Sequence, residues 1–178
     1  MSERNAADRS GEPPQPATGE DRRALWRKLE KLRMAMVATH DVAGEMTARP
    51  LTTQQVEDDG TAWFFVPLDG GVSEELARDA RALVTYADVG DDFFVALRGR
   101  GEVVRNEAKA RALWTPFAAG WFPGGPEDPN LGLLRVDVEN GEYWDPVASK
   151  LVQFFAMAKA AVTRRPPQNI GEHRRFSN

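Results

Sequence analysis

The sequence predicts a mainly β (α+β) protein, a small antiparallel barrel with a few flanking helices. Three observations carry this. Short runs rich in Thr, Val, Phe and Trp recur between Gly, Asp and Asn turns. Helical spacing is confined to a few short segments. Gly99 and Gly101 fall inside one long strand, where a bulge or bend lets a sheet curl closed.

Composition sets the outer limits. The chain has 178 residues, enough for one domain with a core, and 42% are hydrophobic. The net charge of -4 gives no general attraction to nucleic acid or to an anionic membrane. Cysteine is absent, which excludes disulfides, thiol catalysis and cysteine-built zinc sites. His40 and His173 are far apart, so no metal-ligand spacing exists. No apolar run is long enough to span a membrane, and the start, Met1-Ser2-Glu3-Arg4, is polar. The expectation is a cytoplasmic protein with neither a nucleic-acid nor a membrane partner.

Residues 1–20 are polar and Pro/Gly-rich and predict a disordered arm, followed by a domain over 21–165 and a polar tail over 166–178. Asp21 is a candidate helix cap, and Leu25, Leu29 and Leu32 mark one face of a helix ending near Arg33. Trp26 beside that stripe suits core or dimer packing. The continuous apolar run Met34 to His40 predicts a strand buried on both faces. His40, at its end, reads as structural or solvated. Thr47 to Pro67 then predicts a hairpin turning at Glu57-Asp58-Asp59-Gly60. Ser73 is a candidate cap for a short helix. Strands follow over Ala82–Ala87 and Phe93–Arg105, and Asn106 caps a helix to about Trp114. Trp121-Phe122-Pro123-Gly124-Gly125-Pro126-Glu127-Asp128-Pro129 excludes regular structure. Its two aromatics either fold back on the core or complete an interface or pocket. Leu133 to Val138 alternates as a half-buried strand, Asn140-Gly141 predicts a hairpin, and Glu142 to Asp145 predicts its return. A helix is expected from about Val147 to Val162, and Arg174 and Arg175 in the tail are expected to be solvated.

The central hairpin carries the chemistry. Pro50 removes a backbone donor, so its place is an edge, a bulge or a strand end. Arg49 beside it presents five donors from a stiffened position, which suits phosphate or carboxylate; a plain surface arginine is the other reading. Gly70-Gly71 opening a helix can cradle phosphate through backbone N–H groups, or simply turn the chain. The acidic first turn of that helix, with Glu74 and Glu75, competes with a bound anion.

Arg49-Pro50-Leu51, Trp63-Phe64-Phe65, the proline-rich segment and Glu142-Tyr143-Trp144-Asp145 together resemble the pyridoxamine 5'-phosphate oxidase-like flavin-binding split barrels. Within them the chain is most similar to the general stress protein 26 group, over roughly residues 22 to 165. The resemblance implies a six-stranded antiparallel split β-barrel with flanking helices, a homodimer, and FMN at the dimer interface. Carried over by residue, it assigns Arg49, Pro50, Leu51 and Thr52 to the strand contacting FMN, and Phe65 and Val66 to the facing strand. Gly71 and Val72 fall in the phosphate loop. Trp144 matches a tryptophan reaching the flavin from the partner subunit, and Lys150 matches a further basic contact. Core packing for Trp144 and a solvated position for Lys150 are the bland alternatives.

The resemblance also exposes a departure. The relatives' phosphate loop usually carries a serine and a lysine, often with an arginine, where this chain has Gly70, Gly71 and Val72. A hydrogen bond to a charged group contributes about 1.5–3 kcal/mol, so losing two weakens FMN binding by about two to four orders of magnitude. The C-terminal histidine and arginine motif of true pyridoxamine phosphate oxidases is absent, and that activity is not expected. The sequence therefore predicts an FMN-dependent redox protein with a nicotinamide or other small-molecule electron donor. The alternative is a non-enzymatic dimer with weakened or lost flavin binding.

Overall fold

The computed structural model describes residues 15–145 and 172–177. The predicted helix after Pro146, with Lys150, lies outside them. The elements are β1 (Gln15–Pro16), α1 (Gly19–Leu32), β2 (Met34–His40), β3 (Met46–Val56), β4 (Ala62–Pro67), α2 (Gly71–Arg78), β5 (Arg81–Asp88), β6 (Phe93–Val104), α3 (Glu107–Leu113), β7 (Leu131–Asp145) and β8 (Glu172–Ser177). Two single-turn 3-10 helices, Pro116–Gly120 and Gly125–Glu127, precede β7.

Strands β2 to β7 close into an antiparallel barrel in the order β7-β4-β3-β2-β5-β6, with β6 returning to β7. Inward-facing side chains fill it, among them Val37, Phe64, Val66, Val84, Val95, Leu97, Leu134 and Val136. Alternation along each strand produces this filling, since successive side chains face opposite sides of the sheet. Helix α1 adds Leu25, Trp26 and Leu29 to this core. Its cap is Thr18, not Asp21: the Thr18 hydroxyl accepts from the Asp21 N–H, and the Asp21 carboxylate accepts from the Thr18 N–H. A second apolar cluster, Ala110, Phe122, Leu131 and Leu133, lies outside the barrel under α3. Trp63, Phe65 and Trp114 pack against it.

Several expectations are corrected. Strand β2 is buried on one face only: Ala35, Val37 and Thr39 face inward, while Met34 and Met36 are exposed. Asn140-Gly141 makes no hairpin. Strand β7 runs straight through it, because β6 pairs along its whole length and a bulge opposite Arg98/Gly99 absorbs the bend. Glycine is needed at 141 for closeness instead, since a Cβ there would lie 2.8 Å from Leu97 and 2.9 Å from Phe176. Gly99 at the bulge leaves room for the Asp137 carbonyl, which a Cβ would strike.

The strand paired with the end of β7 is β8, from the tail. Arg175 donates to Glu142 at 3.1 Å and Arg174 to Asp21 at 2.7 Å, so neither arginine is merely solvated. Phe176 meets Trp26 edge-on with ring centroids 5.4 Å apart. Residues 15–16, within the expected disordered arm, form β1 against β8. The two aromatics of the proline-rich segment divide: Phe122 is buried at 5% exposure and Trp121 is 76% exposed. No helix of the described residues is long and apolar enough to cross a membrane.

Candidate functional site

Two seams of the barrel have short ladders: β2–β5, which joins only Met36–Ala38 to Leu83–Thr85, and β3–β4, which borders Arg49. The β3–β4 ladder joins Thr53, Gln55 and Val56 to Phe64, Trp63 and Ala62 and stops there. From Thr52 back to Met46, β3 pairs with β2 alone, and from Phe65 to Pro67, β4 pairs with β7 alone. Two backbone edges therefore diverge, one carrying Arg49, Pro50, Leu51 and Thr52, the other Phe65 and Val66. Unpaired strand edges need hydrogen-bond partners, from water or a ligand. The bulge between Thr53 and Gln55 lies where the strands part.

Arg49 sits opposite Val37 in the β2–β3 ladder and so shares the inward face. Its side chain is a quarter exposed, and its guanidinium is already engaged. Nη1 donates to Thr39 Oγ1 at 2.8 Å and Nη2 to Glu75 Oε2 at 2.7 Å. The Thr39 hydroxyl in turn donates to the same carboxylate oxygen at 2.5 Å. Glu75 belongs to α2, and its side chain is 11% exposed. Its other oxygen, Oε1, lies 3.4 Å from where a Cβ on Gly71 would be. The carboxylate thus stands between Arg49 and the Gly70-Gly71 loop.

That loop displays no cation. Gly70 caps α2 without a side-chain bond, which corrects the expected Ser73 cap. Ser73 is inside the first turn and its hydroxyl donates to the Pro67 carbonyl at 3.3 Å. Val72 is 4% exposed and points into the core, and Gly71 is exposed. Val66 is also a core side chain, at 1%. Phe65 is committed to the second cluster, 5.9 Å from Trp114 and 6.3 Å from Phe122 between ring centroids. From β4, then, only main chain faces the split.

Trp144 is not part of this group. Its neighbour Tyr143 points into the core, so Trp144 lies on the outer face, paired with Phe94 and His173. It stacks on His173 with centroids 4.7 Å apart and planes 13° from parallel. Only β4 lies between β7 and β3, but it pairs with β7 over Leu131 to Val136, whereas Trp144 at the far end of β7 lies between β6 and β8. Glu142 beside it accepts from Arg98, His173 and Arg175. Burial pushes the Glu142 carboxyl up, but those three hydrogen bonds outweigh it and leave the group below its ordinary value.

His40 Nδ1 is 3.3 Å from Asp79 Oδ2 but lacks hydrogen-bond alignment. The contact is therefore an ion-pair approach without a hydrogen bond. Hydrogen bonds from Arg81 hold Asp79 far below the usual carboxylate range. A shallow groove of about 490 Å³ between α2 and β6 includes none of the predicted site residues. Among the described residues no cluster of His, Cys, Asp or Glu is placed to hold a metal.

A family model described as "Pyridoxamine 5'-phosphate oxidase like" matches residues 20–168. The chain belongs to the pyridoxamine 5'-phosphate oxidase-like family. A solved relative is the general stress FMN/FAD binding protein of Xanthomonas citri, 32% identical, with a TM-score of 0.65 over 74% of this chain and 93% of that one. The fold also matches a structure described as general stress protein 26 from Jannaschia sp. CCS1, at 24% identity. That likeness has a TM-score of 0.71 and covers 90% of this chain and all of the other. Protein bli-3 of Neurospora crassa is 21% identical over 144 residues, 75% of this chain and 69% of its own length. Within this family's barrel, Glu75 and Thr39 are the two site residues that the sequence did not single out as partners of Arg49. The only signal was the acidic start of α2, competing with an anion.

The residues fit a flavin in part. The diverging edges offer main-chain donors and acceptors to a flat heterocycle. Arg49 suits an anion, but its guanidinium is shared with a carboxylate.

Proposed function

We propose that this chain is a flavin-binding redox protein of the general stress type, working as a homodimer with FMN-class flavin at the split. The observation that supports it most is the divergence of β3 and β4 at Arg49–Thr52 and Phe65–Val66. The resemblance assigns flavin contact to those same residues.

The dimer part rests on the outer face. Met34, Met36 and Phe94 there are 56%, 43% and 41% exposed. Met36 lies opposite Pro50 and Thr85 across the neighbouring strands. This patch, close to the split and continuous in strand order toward Trp144, is apolar enough to be covered by a second copy. Trp144 would then wall the partner's flavin and exclude water. FMN, when bound, supplies electron or hydride transfer. The chain supplies orientation through its open strand edges and a cation, Arg49, for the flavin's tail. A nicotinamide or another small molecule is the electron donor in this reading. The oxidation of pyridoxamine phosphate is not, for want of the C-terminal motif.

A second reading is favoured by one observation, the Arg49–Glu75 pair beside a cation-free loop. In it the dimer has lost tight FMN binding and works as a non-enzymatic binding module. An absorbance scan of purified protein, an FMN titration and light scattering decide between the two. Flavin bands or a micromolar Kd, with twice the 19.8 kDa chain mass, support the first. A colourless dimer indifferent to FMN supports the second, and a monomer removes the interface from both.

A further inference from the structure

We infer that Glu75 fills the anion half of the flavin site, so that this chain accepts a flavin with an uncharged ribityl tail, riboflavin, as readily as FMN. The inference rests on the flavin reading and deepens it by naming which flavin.

A phosphate held by Arg49 and the loop must lie between them. The structure already has an anion in that position. Glu75 Oε2 takes Nη2 of Arg49 at 2.7 Å and the Thr39 hydroxyl at 2.5 Å, while Oε1 faces Gly71. The carboxylate is held from three elements: its own helix α2, Thr39 of β2 and Arg49 of β3. One positive charge is therefore matched by one negative charge before any ligand arrives.

A flavin phosphate brings about two more negative charges, and among the described residues of the loop, Gly70, Gly71 and Val72, it meets no further cation. It must either displace Glu75 or sit beside a like charge in a partly dry site. Both oppose the contribution that phosphate contacts ordinarily make to affinity. The isoalloxazine ring asks only for the main-chain edges of β3 and β4, and those are the same for both flavins. A hydroxyl-bearing tail is tolerated by Arg49 and Glu75 as they stand, since both can hydrogen-bond to hydroxyls.

The test titrates FMN and riboflavin into the full chain and into Glu75→Gln, with the fold of each checked by thermal melting. Glutamine keeps the shape and removes the charge. The expected result is that the wild-type chain binds both flavins within about threefold, whereas Glu75→Gln binds FMN about 10- to 100-fold tighter and riboflavin unchanged. A wild-type preference for FMN above about 30-fold overturns the inference and leaves the flavin reading standing. FMN affinity that does not rise in a folded Glu75→Gln also overturns it. No binding of either flavin by either protein overturns the flavin reading and the inference together. The wild-type comparison needs no variant, so a Glu75→Gln protein that fails to fold does not rescue the idea.

Discussion

Replacing Arg49 by methionine should destabilise the chain, and replacing Glu75 by leucine in the same protein should restore much of the loss. Nη2 and Oε2 are 2.7 Å apart, and the side chains are 25% and 11% exposed. With charge centres about 4 Å apart and an effective dielectric of about 20, the attraction is about 4 kcal/mol. Desolvation of the carboxylate offsets a large part, leaving a coupling of about 1.5–3 kcal/mol. Arg49→Met leaves Glu75 with Thr39 as its remaining partner among those described, and should cost about 2–4 kcal/mol. Glu75→Leu alone leaves a guanidinium that water can still reach, and should cost less. Urea unfolding at neutral pH, with unchanged slopes, gives the four free energies of the cycle. Single losses that add to within about 0.5 kcal/mol in the double variant would refute the pair, and with it the account of the anion site.

Other consequences follow from the packing and the charges. Glu142 and Asp21 both anchor β8, and hydrogen bonds lower both carboxyls in the folded chain; for Asp21 the backbone N–H of Thr18 contributes most. Groups depressed by folding stabilise above their ordinary carboxylate values and lose that contribution as pH falls through the depressed values. Urea midpoints should therefore drop from pH 7 toward pH 3, and by less in a Glu142→Gln, Asp21→Asn variant; equal slopes would contradict the anchoring. Phe122→Ala should cost about 3–5 kcal/mol, because it empties the second cluster. Trp121→Ala, at 76% exposure, should stay within about 0.5 kcal/mol, and comparable losses would contradict the packing. Gly99→Ala should destabilise by about 1–3 kcal/mol by forcing the bulge away from the Asp137 carbonyl. An unchanged melting temperature would show that the bulge is not tight.

Local patterns made most of the barrel legible. The hairpin from Met46 to Pro67 has a turn, Gly60 at φ +93°, that its sequence announces. Strands β5 and β6 and the Asn106 cap follow equally local rules. Where the sequence misled, the deciding contact was distant. Asn140-Gly141 carries a strong turn signal, yet β6 alongside and Phe176 beneath keep the chain extended. Phe176 comes from β8, 35 residues beyond Gly141 in the chain, and no spacing rule points to it. Met34 and Met36 look like core because an apolar run does not say which face will be covered. The site divides the same way. Arg49 beside Pro50 drew notice for its chemistry, and the split gave its neighbours a reason. Thr39 and Glu75 were ordinary residues of a strand and a helix until the fold brought them onto one guanidinium.

Amide hydrogen exchange at the split tests the central claim most directly. Leu51 and Thr52 on β3 and Phe65 and Val66 on β4 lie in strands, but no ladder joins them to each other. Successive N–H groups of a strand point to opposite neighbours, so added riboflavin or FMN should strengthen protection of the one amide in each pair that faces the split, Thr52 and Phe65, and leave Leu51, Val66 and the barrel interior unchanged. Protection that saturating flavin leaves untouched would place any flavin elsewhere, and the split would then be a feature of the fold without a ligand.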